Sequence, residues 1–336
     1  ALNMDLVHTL QLDLGDQGST LTGTSLQAVA DMVERAPEMH SFILNVHVEK
    51  MARLEVGLAA LALSLSSRKK LRHVFLSFFD IGIGDEGLKA VLAGLPTELA
   101  TLHVTCVKGP IGDQAVIAVG DAVGEGIKDL RVLFEECHGI TDVGVSALAA
   151  KVLEKAAHLE SVDLIFAGMR TSNVTDASAL SVSKLMECFV DTCRVRIELP
   201  ADCFSEIGVL SIIQKVPQKA QFFVNLSSGE FVGFKDTNVC QVGIENVSRM
   251  TCAGLCSLVT ALHQRVVTSG DDKQVLVRVR DCVGIRDDDV EQLGRVCAVH
   301  SKVRLSLVQC KGLTAEGLGS FLVSSNGGDN SSACHF

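Results

Sequence analysis

The residues of this 336-residue chain most able to do chemistry are twelve cysteines and ten histidines, and their spacing decides whether they act together. Thiolates serve as nucleophiles, redox partners or zinc ligands, and imidazoles as bases or metal ligands. A structural zinc site draws four ligands, usually from two close pairs. No Cys-x-x-Cys occurs; the closest pairs are Cys252/Cys256 and Cys188/Cys193. The histidines are dispersed, and no Ser or Cys stands at a spacing that suggests a nucleophile–base pair. Gly120-Asp121-Ala122-Val123-Gly124-Glu125-Gly126 lacks the Lys-Ser/Thr ending of a phosphate loop. Asp287-Asp288-Asp289 stands at a helix start, where N-capping and dipole complementation account for it better than a cation site. The sequence thus predicts no catalytic residue, no metal and no cofactor.

Composition bounds the rest. A net charge of −10 argues against a general binder of phosphate backbones, so no nucleic-acid partner is expected. The chain has no Trp and no Tyr, the residues favoured at single hot spots and at base-stacking platforms. No apolar run approaches the roughly 20 residues needed to span a bilayer. Val56 to Leu65 comes closest and reads as a buried helix face ended by Arg68-Lys69-Lys70. Single, scattered cysteines in a long chain read as reduced, buried, structural thiols. They point to an intracellular reducing compartment, the cytoplasm, with an organelle such as the mitochondrion kept open because the sequence starts at Ala1. Four Asn-x-Ser/Thr sequons at Asn173, Asn225, Asn246 and Asn330 pull toward secretion, and chance in a Ser/Thr-rich chain is the preferred reading.

The elements that must position these side chains recur. Alternating, strand-like runs start near Val7, Ser41, Arg72, Ala100, Asp129, Glu160, Arg194, Gln221, Cys240, Lys273 and Lys302. Most steps lie near 30 residues, room for a strand, a turn, a helix and a return loop. Between runs the spacing turns helical: Leu88, Val91, Leu92 and Leu95 fall at i, i+3, i+4 and i+7 within Asp85–Leu95. Three turns carry one message: Cys137-His138-Gly139-Ile140-Thr141-Asp142-Val143-Gly144, Cys282-Val283-Gly284-Ile285-Arg286-Asp287-Asp288-Asp289 and Cys310-Lys311-Gly312-Leu313-Thr314-Ala315-Glu316-Gly317. The small Cys is expected under the turn, Ile or Leu pins the loop to the core, and Gly permits tight backbone at the helix start.

The order apolar-x-apolar-x-x-Cys-x-x-Ile/Leu-Thr-x-x-Gly resembles the cysteine-containing leucine-rich repeat found in F-box adaptors. Ile81-Gly82-Ile83-Gly84-Asp85-Glu86-Gly87 is closer to the ribonuclease-inhibitor class. The resemblance covers roughly residues 5–323, and the second repeat (41–70) lacks the turn signature. It implies an α/β solenoid, a horseshoe of about 10–11 repeats with parallel strands on the concave face and helices on the convex face. The domain is expected over 1–323, with an irregular crossover at about 228–239 and a flexible tail at 324–336.

In such a sheet the residues between buried positions face outward. Ile43, Phe75, Phe79, Leu133, Ile165 and Phe223 would then form an apolar stripe, and exposed apolar area marks contact surfaces. Arg278, Arg280 and Arg304, with Arg194 and Arg196 as a possible extension, would form a basic patch suited to carboxylates. The expected function is a non-catalytic protein–protein interaction scaffold, a structural or assembly subunit whose open ends are capped by further chain or by partners. Its partners are expected to be other proteins in a multi-subunit assembly, without membrane insertion. The substrate-recognition part of an F-box ubiquitin-ligase adaptor is the alternative. A secreted recognition protein, or an enzyme using His47, His103 or the Arg patch, ranks behind both.

Overall fold

Each alternating run forms one strand, because period-two patterning buries one face of a pleated chain and exposes the other. A computed structural model describes residues 4–15, 20–47, 50–52, 55–80, 83–155, 158–168, 174–187, 189, 193–200, 204–215, 221–226, 239–245, 251–269, 274–280, 285–300, 302–308, 310, 312–314 and 316–317. The chain divides into two compact units, residues 1–173 and 174–336.

The first unit runs β1 (Thr9–Leu14), β2 (Thr20–Thr22), α1 (Gly23–Glu34), β3 (Ser41–His47), β4 (Lys50–Ala52), α2 (Glu55–Ser66), β5 (His73–Phe79), α3 (Gly84–Ala93), β6 (Thr101–Val107), α4 (Asp113–Ala122), β7 (Asp129–Glu135), α5 (Asp142–Lys155) and β8 (Ser161–Ala167). Its main sheet is parallel in the order β1-β3-β5-β6-β7-β8. β2 and β4 form a small parallel pair beside it, which replaces the cysteine turn in the first two repeats. The second unit runs α6 (Asp176–Met186), β9 (Arg194–Leu199), α7 (Glu206–Lys215), β10 (Gln221–Leu226), β11 (Val239–Glu245), α8 (Cys252–Ser269), β12 (Gln274–Arg280), α9 (Asp287–Val299) and β13 (Val303–Val308). Its five strands are parallel in sequence order.

Burial alternates residue by residue in β3, β6 and β7. Phe42, Leu44, Val104 and Val132 lie on the buried face, against which the helices pack their apolar sides. In α3 these are Leu88, Val91 and Leu92, the predicted positions; Leu95 falls past the helix end. Parallel strands joined by helices on one side follow from the right-handed crossover. The tail at 324–336 lies outside the described residues, as does the crossover except for Val239, which opens β11.

The residue after a strand takes a left-handed conformation in successive repeats: Asp80 (φ 55), Lys108 (φ 56), Glu136 (φ 53) and Gly168 (φ 67). The first three amides donate to the closing carbonyl of the next strand, Val107, Glu135 and Ala167 respectively. That bond offsets a backbone cost of about 1 kcal/mol at each non-glycine position.

The turn cysteines are hydrogen-bond donors as well as fillers. The Cys137 thiol donates to Glu135 O at 3.4 Å and, across the rung, to Cys106 O at 3.6 Å. Cys310 repeats the pattern with Val308 O and Val279 O. Cys282 lies outside the described residues. All eight described cysteines are buried and stand as thiols. Burial is the main cause that pushes the Cys137 thiol up to about 11. The thiolate fraction near pH 8 is then roughly two hundredfold below that of a free cysteine. Native protein is therefore expected to leave Cys137 unmodified by iodoacetamide on a timescale that fully labels the denatured chain, read by peptide mass spectrometry. Comparable labelling of the folded protein would contradict this packing.

Carboxylates at the helix starts tie neighbouring repeats together. Asp113 Oδ1 accepts from the amides of Thr141 (2.8 Å) and Gly144 (2.9 Å), and its Oδ2 accepts from Thr141 Oγ1 (2.7 Å). Asp85 accepts from Gly112 N, Asp176 from Ser205 N and Oγ, and Asp287 from Thr314 N and Oγ1. Between α7 and α8, which are separated in sequence by two strands, the longer Glu206 bridges to Thr251 Oγ1 at 2.6 Å. This corrects the capping role expected of Asp287: the residue before α9 is Arg286, which caps with no side chain, and Asp287 reaches the next repeat instead. It also corrects the role of the motif glycine. A Cβ on Gly144 would lie 2.5 Å from Asp113 Oδ1, and one on Gly317 would lie 1.8 Å from Asp287 Oδ1. Neither glycine has positive φ, so close approach of the preceding carboxylate, not backbone freedom, demands it.

The two bonds from Thr314, side chain first and backbone second, hold the Asp287 carboxyl below its ordinary value. A lowered folded-state value favours the anion in the folded chain. Its stabilisation is complete above the unfolded value near 4 and is lost as pH falls through the lower folded value. Hydrogen exchange at the Thr314 amide is thus expected to accelerate, beyond the intrinsic pH effect, only below about pH 4. Loss of protection already at neutral pH in wild type would refute the link.

Candidate functional site

Strand register sets the sheet face opposite the helices as rows of side chains. In the first unit Gln11, Ile43, Phe75, His103 and Arg131 are successive cross-strand partners. Two residues further along lie Asp13, Asn45, Ser77, Thr105 and Leu133, and beyond them His47, Phe79, Val107 and Glu135. Rows are about 7 Å apart and strands about 4.8 Å. Ile43 and Phe75 are therefore half-buried neighbours in one row, while Phe79, also half-buried, lies two rows further along, about 14 Å away, with the polar row of Asn45, Ser77 and Thr105 between them.

Imidazoles hold both phenylalanine rings. His47 stacks on Phe79 at 4.1 Å between centroids with planes 5° apart, and His103 meets Phe75 edge-on at 4.7 Å and 83°. His103 Nε2 lies 3.1 Å from Asp129 Oδ2, which orients its ring. His47 and His103 therefore act as ring supports; no nucleophile accompanies them in the described contacts. Val107 stands beside Phe79 in its row and was missed, although reading the alternation to the strand's last residue finds it. Leu133 is half-buried but stands next to Thr105, in the row between the two apolar pairs.

Ile165 is a correction. Its register partner is Leu133, so it is on the expected face, yet only 3% of it is exposed, and Val162 to Phe166 are all buried. Alternation says which face a residue takes, not whether that face meets solvent.

In the second unit Phe223 is half-buried beneath the Arg196 guanidinium, 5.2 Å from the ring centre, a cation–π arrangement. Arg196 also pairs with Glu198. Arg278 has Gly243 on one side and Ser306 on the other; Arg280 is flanked by Glu245 and Val308, and Arg304 by Leu276. Arg280 and Arg304 are exposed and Arg278 is half-buried. Arg194 and Arg196 stand on β9, separated from these three by β10 and β11. The arginines therefore form two groups rather than one patch.

The helix layer adds a feature missed by sequence reasoning. Leu58, Leu61 and Leu65 of α2 are buried as expected, but Val56 and Leu63 are 75% and 74% exposed. The uniformly apolar composition of α2 was the signal, since an amphipathic helix would have carried polar residues there. A depression of about 960 Å³ beside α3, α4 and α5 mixes Lys89 and Lys155 with Asp121, Glu125 and Glu154, with no convergent constellation. Among the described residues, no group of three His, Cys, Asp or Glu residues is placed to hold a metal ion. Also among them, no helix is long and apolar enough to cross a membrane.

Strands and helices alternating in parallel register, with turns that bury Cys137 and Cys310, give the chain a leucine-rich-repeat-like solenoid fold. No family model matches the sequence, and no curated protein does. Similar solved structures include the yeast complex of Rad7 and Elc1, at TM-score 0.44 and 13% identity, covering 88% of this chain and 70% of that one. Another is the leucine-rich repeat-containing protein LegL7 from Legionella pneumophila, at 0.39 and 12%, covering 97% and 100%. The repeat assignment stands on the chain's own geometry.

Proposed function

We propose that this protein is a non-catalytic protein-binding scaffold, a subunit of a larger assembly that engages partners through its sheet faces. The observation that carries the reading is two half-buried apolar pairs on one sheet face, Ile43 with Phe75 and Phe79 with Val107, where small polar residues would cost less. The second unit adds Arg278, Arg280 and Arg304, a local cationic group on a chain of net charge −10, suited to acidic segments of a partner. Eight buried thiols among the described residues support a reducing compartment. The test is cross-linking and quantitative co-purification of tagged protein from its own cells, comparing wild type with Phe75→Asp/Phe79→Asp and Arg278→Glu/Arg280→Glu. Specific partners that bind wild type and are lost from the variants support the reading. Partners recovered equally by all three would overturn the placement, and no stoichiometric partner at all would overturn the function.

A further inference from the structure

We propose that His8 and His40 form a binding site for a divalent transition metal, zinc or copper, at the outer edge of the first unit's sheet. Thr9 and Ser41 are register partners, so the residues just before them stand side by side on the first two rungs. His8 O accepts from the amides of His40 (2.8 Å) and Ser41 (3.0 Å), which fixes the two backbones. The imidazoles turn their Nδ1 atoms toward each other at 3.3 Å, with ring centres 5.2 Å apart and planes at 45°. The Glu38 carbonyl oxygen lies 3.2 Å from His8 Nδ1.

The spacing between the two nitrogens suits a shared metal ion, and the 3.2 Å to Glu38 O is compatible with a ligand edge as well as with an N–H···O bond. Zinc–nitrogen bonds of about 2.0–2.1 Å at a tetrahedral angle put two nitrogens about 3.3–3.4 Å apart. An N–H···N bond between neutral imidazoles would prefer about 3.0 Å. The distances from His8 Nδ1 to His40 Nδ1 and to the Glu38 carbonyl oxygen thus both lie near the edge length of a coordination polyhedron. The third donor is backbone, which is why no three-side-chain cluster exists here. Solvent can supply further ligands, because both imidazoles are exposed. The Glu38 carboxylate is ion-paired with Lys70 and lies within electrostatic reach of both imidazoles, so negative charge adjoins the site. Imidazole pairs favour zinc, copper and nickel over magnesium or calcium. A bound ion would tie β1 to β3, the first two strands of the described sheet.

The full chain, stripped with chelator, is titrated separately with Zn(II) and Cu(II), with calorimetry and thermal unfolding as readouts and the Cu(II) spectrum reporting nitrogen ligation. The expected result is one saturable ion per chain, a raised Tm and two coordinated nitrogens. His8→Ala and His40→Ala should each remove this binding while keeping the wild-type circular dichroism. His73→Ala, whose imidazole is instead bonded to Thr101 Oγ1, should leave it intact. Absence of saturable binding in wild type overturns the proposal. So does survival of binding in either pair variant, or its loss in His73→Ala.

Discussion

Asp113→Ala is expected to destabilise the first unit by about 3 kcal/mol, because three donors lose one charged acceptor. For a unit of this size that is roughly a 6–12 °C fall in Tm. Asp113→Asn keeps an oxygen for the two amides, and the Thr141 hydroxyl can turn to accept from the new amide, so its cost should be nearer 1 kcal/mol. In a repeat protein, stability is approximately a sum of intrinsic and nearest-neighbour contributions. This side chain belongs to the neighbour contribution between α4 and α5. Urea unfolding of Asp113→Ala should therefore show a broader transition with a lower m-value as well as a lower midpoint. A double-mutant cycle with Thr141→Val should give a coupling energy of at least 0.5 kcal/mol. A loss within 0.5 kcal/mol, typical of an unremarkable surface change, would show that the carboxylate does not link the repeats.

The repeats were legible because they are written in local chemistry. All eleven expected strand starts lie within two residues of those of β1, β3 and β5 to β13, since alternation and strand geometry share a period of two. The motif cysteines, pins and glycines were found for the same reason. What was misread is what the preceding repeat contributes. Gly144 was expected to permit tight backbone at the helix start, and only the approach of Asp113 from another repeat explains it. Asp287 looked like a cap for its own helix, although its partner Thr314 is 27 residues away. Cross-rung distances are absent from a period.

The surface was legible in the same partial way. Register placed Ile43, Phe75 and Phe79 on one face, while the packing that hides Ile165 depends on more than its own strand. The exposure of Val56 and Leu63 escaped because an apolar run carries no mark of which side is free. The arginines of β9 and β12 looked like one patch, since counting residues does not count the strands between them.

Phe75→Asp/Phe79→Asp is expected to abolish capture of the partner at the first unit's face while leaving the unit folded. An aromatic anchor at the centre of an interface contributes about 2 kcal/mol or more on truncation, close to thirtyfold in affinity. A carboxylate is worse than truncation, because docking would bury it unpaired. In the isolated protein the same changes remove the stack on His47 and the edge contact with His103, each about 0.5–1.5 kcal/mol. Both rings are half-buried, so no cavity opens in the core. Binding should therefore fall far more than stability. His47→Ala separates the two effects: it removes the support of Phe79 and leaves the apolar surface, so affinity should drop by less than tenfold. Unchanged partner recovery with the double Asp variant, at wild-type expression, would mean that neither Phe75 nor Phe79 belongs to a contact surface. The exposed Val56 and Leu63 of α2 would then be the next face to substitute.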